Sequence, residues 1–322
     1  MLVSEVTNQE TLSQMSEAEF LLWQKLIEAK TGLWLTLTRK TFLLTQLSTR
    51  LRAKGFSDYS EYYQWLTSNA MEREEWANLV DLLTVHETRF FRDTKALELV
   101  EDFSLQMLSR QDNQRAQLRS ETVKKILEKS RPRIASIMQI WSVGCSTGEE
   151  VYSLAMVLEN LAQQQSKSTP LYFGVTGTDI SFPSLATARD ASYLPARFKN
   201  IPEKFQQMFT QETNTGFEIS DSLKEKVCFM QGNLGELNET PVQFFDIIYC
   251  QNVLIYFKSN RKEMILNQLV ERLTEGGILI LAPGEATNWK HDDMERRAHS
   301  GCLAFTKKIM GNKNSGGAHV KK

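Results

Sequence analysis

Histidine and cysteine are both scarce in this chain, with four of each in 322 residues. Cys145, Cys228, Cys250 and Cys302 lie far apart, without a CxxC pair or a Cys/His cluster. A zinc site and a disulfide framework are thereby excluded, and no metal is expected. Reduced thiols point to a cytoplasmic protein. So few histidines leave little material for Ser-His-Asp or Cys-His catalysis. Long apolar runs are missing too, so no bilayer span and no membrane insertion are expected. The start Met1-Leu2-Val3-Ser4-Glu5 lacks the basic and apolar regions of a signal peptide. A charge excess is absent: the net charge is −1, and no global field favours nucleic acid as a partner. There is no internal repeat. What remains is a globular composition, 41% hydrophobic and 24% charged, long enough for one large domain and one small one.

The first part reads as helices. Ser16-Glu17-Ala18-Glu19 has the capping-box pattern ahead of Phe20-Leu21-Leu22-Trp23. A second helix runs from about Thr38 to Lys54 and stops at Gly55, and two more follow around Tyr59–Leu66 and Glu72–Leu83. The run from His86 to Asp93 breaks the rhythm with Phe90 and Phe91 flanked by charges. It makes residues 1–93 a helical domain with a junction. A helix from about Thr94 to Leu108 and a polar, basic stretch Arg110–Arg133 then connect to the next domain over residues 94–133.

From residue 134 to 310 short β-rich runs alternate with helical ones. Strands are expected at Ile134–Val143, Leu171–Thr178, Val227–Gln231, Phe245–Cys250 and Ile278–Ala282. Helices are expected at Glu149–Leu161, Ser181–Ala188 and Asn260–Leu273. That alternation means βαβ units and a mostly parallel, doubly wound sheet of α/β class. Residues 190–226 interrupt it as a small inserted subdomain containing β-structure. Residues 311–322 read as a tail.

The chemistry gathers at strand ends. The first strand runs into Gly144-Cys145-Ser146-Thr147-Gly148 and then the acidic pair Glu149-Glu150. Glycine permits a tight turn and a close ligand approach, but GxGxxG is absent. Two acids at a helix N-terminus would repel a pyrophosphate and suit a cofactor with a positive centre. An ordinary strand–turn–helix is the equally good alternative for this segment alone. Asp179 ends the second strand, where a carboxylate can accept ribose hydroxyls, or simply cap a helix. Asn233 in Gly232-Asn233-Leu234 can pair with an adenine edge or serve a turn. Gln251 and Asn252 end the fourth strand. After them Leu254, Ile255 and Phe257 read as core and Tyr256 as a site candidate.

Together, VHETRFFRD, WSVGCSTGEEVYSLAM, GTDIS, QGNL and CQNVLIYF resemble the CheR-type protein-glutamate methyltransferases over about residues 15–305. The resemblance implies a Rossmann-like methyltransferase sheet with a small all-helical N-terminal domain. The cofactor would be S-adenosylmethionine and the partner the cytoplasmic helices of a methyl-accepting chemoreceptor. Thr88 and Arg92 would hold the cofactor's carboxylate. Glu149 would lie near its amino or sulfonium end and Asp179 on its ribose. Asn233 and Leu234 would border the adenine, and Gln251 and Asn252 would complete the pocket with Gly144. His86 stands where relatives usually have Asn, Gln251 where they have Arg, and Pro283-Gly284-Glu285 where they often have His-Ser-Glu. Arg92 and Tyr256 are the candidate catalytic residues, orienting the groups at transfer. RFFRD suggests the branch serving type IV pilus chemosensory systems. A monomer is expected.

Two alternatives stand beside this. A nucleic-acid methyltransferase would use the basic stretch as its footprint, although Asn252-Val253-Leu254-Ile255 replaces the Asn-Pro-Pro-Tyr pattern. A cofactor-binding scaffold without transfer activity is the other, motivated by His86, Gln251 and Pro283-Gly284.

Overall fold

The structure is a computed structural model and describes residues 14–68, 73–84, 86–117, 136–165, 170–239, 243–299 and 301–309. The basic stretch beyond residue 117 and the tail expected over 311–322 lie outside them.

Four helices open the chain: α1 (Glu17–Thr31), α2 (Lys40–Lys54), α3 (Tyr59–Ser68) and α4 (Arg73–Leu83). Ser16 caps α1 reciprocally with Glu19, and Gly32 and Gly55 end α1 and α2 in the left-handed conformation. Apolar positions at helical spacing pack into one core of Phe20, Trp23, Ile27, Leu43, Leu47, Leu51 and Leu79. Trp23 stacks on Tyr62 at 5.6 Å between centroids. Beneath this core Glu75, 1% exposed, takes a bidentate hydrogen bond from Arg50 and another from Tyr62.

Helix α5 spans Thr94–Gln117, longer than its apolar pattern suggests. Then come β1 (Ser136–Val143), α6 (Glu149–Gln164), β2 (Leu171–Asp179) and α7 (Phe182–Asp190), the last capped by Ser181. The insertion holds β3 (Ser192–Tyr193), a single helical turn Pro195–Phe198, α8 (Glu203–Phe209), β4 (Thr210–Glu212) and β5 (Phe217–Ile219). Its strands form a separate antiparallel sheet, β3-β5-β4. The chain returns through β6 (Val227–Gln231), β7 (Phe245–Cys250), α9 (Ser259–Glu271), β8 (Leu273–Leu281), β9 (Met294–Arg297) and β10 (Leu303–Lys307).

The main sheet has seven strands in the order β6-β2-β1-β7-β8-β10-β9. The first five run parallel, and β10 and β9 close one edge as an antiparallel pair. Strands of β1 and β7 alternate their side chains between two cores, one shared with α5 and α6, the other with α9. One expectation is corrected here: Leu273 opens a strand and does not close a helix. It pairs with Phe245, and a register irregularity follows on β7. Gly276, at φ +74°, supplies the bend inside β8, so the two glycines lie within the strand rather than before it. No helix among the described residues is long and apolar enough to cross a membrane.

The chain order leaves β1 in mid-sheet, with β2 on one side and β7 on the other. A crevice at the carboxyl ends of these strands is where an open α/β sheet accepts a ligand.

Candidate functional site

A cavity opens at those strand ends. Its floor is Gly144 and Ser146 after β1, Asp179 at the end of β2, Gly232–Leu234 after β6, and Gln251–Val253 after β7. The junction between α4 and α5 forms one wall with His86, Thr88 and Arg92. The segment after α1, Trp34 to Arg39, forms part of the roof.

The turn after β1 is built for close approach. Gly144 has φ +72°, and a Cβ there would sit 2.5 Å from Val253. Its amide and that of Cys145 donate to Thr178 O, locking the turn onto β2. Ser146 also takes a positive φ, 50°, and donates its amide to Asp179 Oδ2 at 2.8 Å. Asp179 Oδ1 accepts from Ser181 N at 2.9 Å. The Asp179 carboxylate is thus fixed by backbone amides through both of its oxygens, at the edge of the cavity. Burial raises the Asp179 pKa, while the amides of Ser181 and Ser146 pull the other way.

The acidic pair of α6 divides. Glu149 does not line the cavity; it is 1% exposed and pairs with Arg197 at 3.0 Å, and Thr147 Oγ1 donates to its other oxygen at 2.6 Å. Glu150 is the residue that lines the cavity. Ser142 Oγ donates to it at 2.7 Å. Burial pushes Glu150 up to about 8, with Ser142 and Arg92 opposing and Glu285 reinforcing the rise. The sequence placed Glu149 at the cofactor; successive residues on a helix point about 100° apart, and the phase of α6 turns Glu150 inward instead.

The remaining expected residues divide by what their polar atoms already do. Asn233 lines the cavity, yet Nδ2 donates to Lys30 O at 2.9 Å and Oδ1 accepts from Gly235 N at 2.9 Å. His86 is similarly engaged: Nε2 meets Asp81 and Thr84, and Nδ1 meets Ser184 Oγ at 3.0 Å. Arg92 hydrogen-bonds Glu87 O and otherwise faces the cavity with Thr88, Leu234 and Asn252. Asn252 sits at φ +60°. Gln251 is 6% exposed, and its Nε2, like Ser146 Oγ, has no hydrogen-bond partner among the described residues. Tyr256 lies at the roof under Arg39, whose guanidinium is 5.5 Å from its ring centroid. Burial raises the Tyr256 pKa against the pull of Arg39 and Arg92.

Glu285 was noted in sequence only as part of a departure. Buried after β8, it accepts from Leu254 N at 2.9 Å and Ala282 N at 3.0 Å. It thus pins the loop that carries Asn252 and Tyr256. Its pKa is raised because burial outweighs these amides. A lone Glu after a strand gives no sign of this role, which depends on two loops meeting. Ser146 and Arg39 were likewise not singled out, and Glu150 was named only as half of the acidic pair Glu149-Glu150.

Comparison with known proteins follows the same division of the chain. Residues 18–84 match the family model for the CheR methyltransferase all-alpha domain, and residues 107–301 match the CheR methyltransferase SAM binding domain. The chain is 29% identical over 287 residues to the chemotaxis protein methyltransferase of Escherichia coli, covering 88% of each. It is 27% identical over 262 residues to that of Borreliella burgdorferi, covering 81% of this chain and 85% of the relative. With chemotaxis protein methyltransferase 1 of Pseudomonas aeruginosa it shares 25% over 276 residues, 85% of this chain and 92% of the relative.

Proposed function

The chain belongs to the CheR methyltransferase family, and from that premise we propose that its strand-end cavity directs methyl transfer to glutamate carboxylates on a chemoreceptor's cytoplasmic helices. The single observation that carries the assignment of the cavity is Asp179. Its carboxylate is fixed by the backbone amides of Ser146 and Ser181, at the end of β2, in the cavity itself.

The donor set fits S-adenosylmethionine. Two buried polar atoms on cavity-lining residues, Ser146 Oγ and Gln251 Nε2, have no partner among the described residues, and an unpaired buried donor is costly unless a ligand satisfies it. Asp179 suits the ribose hydroxyls. Leu234 suits the adenine face, and the engaged amide of Asn233 assigns that residue to shaping the turn. Arg92 and Thr88 suit the methionine carboxylate, and Glu150 the cationic end, whose positive charge would draw it into its ionised form. His86 contributes by anchoring the junction, since both ring nitrogens are taken. When bound, S-adenosylmethionine supplies a methyl group already electrophilic on its sulfonium.

The chain's own residues align and shield. Arg39, Arg92 and Tyr256 all line the cavity, and the two cations favour the approach of an anionic receptor side chain. A glutamate, with a pKa of about 4.3, arrives ionised, so no general base is required. Arg92 and Tyr256 orient the groups at transfer, and the roof from Trp34 to Arg39 limits water around them. Glu285 keeps the Asn252–Tyr256 loop in place. The protein acts as a cytoplasmic monomer, without nucleic acid, in a chemosensory system of the type IV pilus kind.

Calorimetric titration tests the site. Wild-type protein is expected to bind S-adenosylmethionine, and Asp179→Ala to lose at least about tenfold in affinity, the scale of charge-assisted hydrogen bonds. Equal affinity in the two would contradict the assignment.

A further inference from the structure

The inserted subdomain reaches the cofactor side of the molecule, and one of its side chains bridges two segments there. Arg197 lies on the helical turn that follows β3. From the same Nη1 it meets Glu149 Oε1 at 3.0 Å and donates to the backbone oxygen of Thr88. Glu149 opens α6, immediately after the glycine turn. Thr88 lies on the cavity wall, four residues before Arg92. One guanidinium thus joins three segments that are distant in sequence: the insertion, the glycine turn and the junction.

The surroundings make this contact decisive for the wall. The junction is anchored at one end by His86 against Asp81 and Ser184. At the other end Phe90 packs edge-on against Tyr193 at 4.9 Å and Phe91 stacks on Phe205 at 5.2 Å. Phe91 N also donates to Ser153 Oγ at 3.0 Å. Between these anchors Thr88 is exposed to the cavity, and its carbonyl is fixed by Arg197. Tyr193, next to the same turn, donates its hydroxyl to Thr147 O at 2.8 Å. The small sheet therefore grips both the wall and the turn of the cavity.

We propose that Arg197 is a positioning residue for cofactor binding, and that through it the inserted sheet sets the geometry of the Thr88–Arg92 wall. It does not line the cavity and acts through Glu149 and the Thr88 carbonyl. This rests on the assignment of the cavity to S-adenosylmethionine. Planar Arg is suited to the task because one fork can serve a carboxylate and a carbonyl together. Any partner that shifted the small sheet would change cofactor affinity through the same side chain.

The test is a titration of full-length wild type, Arg197→Ala, Arg197→Gln and Lys199→Ala with S-adenosylmethionine, followed by steady-state methylation of receptor-containing membranes. Lys199 is exposed just past the same turn, and its variant is expected to match the wild type. Arg197→Ala is expected to weaken binding and raise KM for the cofactor about tenfold, with kcat at saturating cofactor changed less than about twofold. Arg197→Gln keeps a donor for Thr88 O without the ion pair and is expected to fall between. Should Arg197→Ala not fold, the Gln variant carries the same reading. Unchanged cofactor affinity in the folded variants, or a fall in kcat at constant KM, would overturn the inference. Absence of binding by the wild type would instead overturn the assignment of the cavity.

Discussion

Glu150 is an acid that folding restrains from ionising. Its pKa rises to about 8, chiefly by burial, whereas an unfolded glutamate titrates near about 4.3. Between those values the folded chain holds a proton that the unfolded chain has released. Stability from this group is therefore present at acid pH, declines as pH rises from about 4.3 through about 8, and then levels off. Glu150→Gln removes the titration. The Tm of the variant minus that of the wild type is expected to increase by a few degrees from pH 5 to pH 9 in thermal scans. A difference independent of pH would contradict the buried, neutral state. The sequence announced an acidic pair ahead of a nucleoside-type site. It could not say which member faces in, because neighbours on a helix differ by about 100° and only packing sets the phase. Val151, Leu154 and Ala155 are fully buried, and burying them fixes Glu149 toward Arg197. Gln251 and Asn252 were legible for a different reason: polar residues at the end of an apolar strand are conspicuous. The uses already made of Asn233 and His86 were invisible, since their partners lie on other elements.

The elements followed their local chemistry. Capping at Ser16 and Ser181 and the glycine stop at Gly55 correspond to observed boundaries. Period alone did not reveal the bend within β8, because two adjacent glycines look the same before a strand and inside one. Nor did it reveal the polar network of the helical domain. Burial works against the Glu75 charge, yet hydrogen bonds from Arg50 and Tyr62 hold its pKa below the ordinary value. Such a group stabilises above its unfolded pKa and loses that contribution as pH falls through its folded pKa. Glu75→Ala leaves the buried Tyr62 hydroxyl and the half-buried Arg50 guanidinium without their acceptor. A loss of about 2–3 kcal/mol is expected in denaturant unfolding at neutral pH. A loss below about 1 kcal/mol would mean that Arg50 and Tyr62 find other partners.

At the scale of the whole molecule, the cavity is a joint product of domains. Lys258 of the α/β domain pairs with Glu28 at 2.7 Å and lies 3.5 Å over the ring of Trp34. Trp34 N donates to Tyr256 O at 2.8 Å, and Asp81 accepts from Ser181. In sequence these partners lie 100 to 230 positions apart, and no local pattern could show that the helical domain roofs the strand ends. The family motifs supplied the cofactor and the reaction; the placement of Arg39, Glu285 and Arg197 came from tertiary structure.

The direct test of the whole account is methyl transfer from labelled S-adenosylmethionine to receptor-containing membranes. The account predicts label on the receptor that mild alkali releases as methanol, since a carboxyl methyl ester hydrolyses there, and predicts its loss in Asp179→Ala. Label that survives alkali, or that appears in nucleic acid instead, would contradict it.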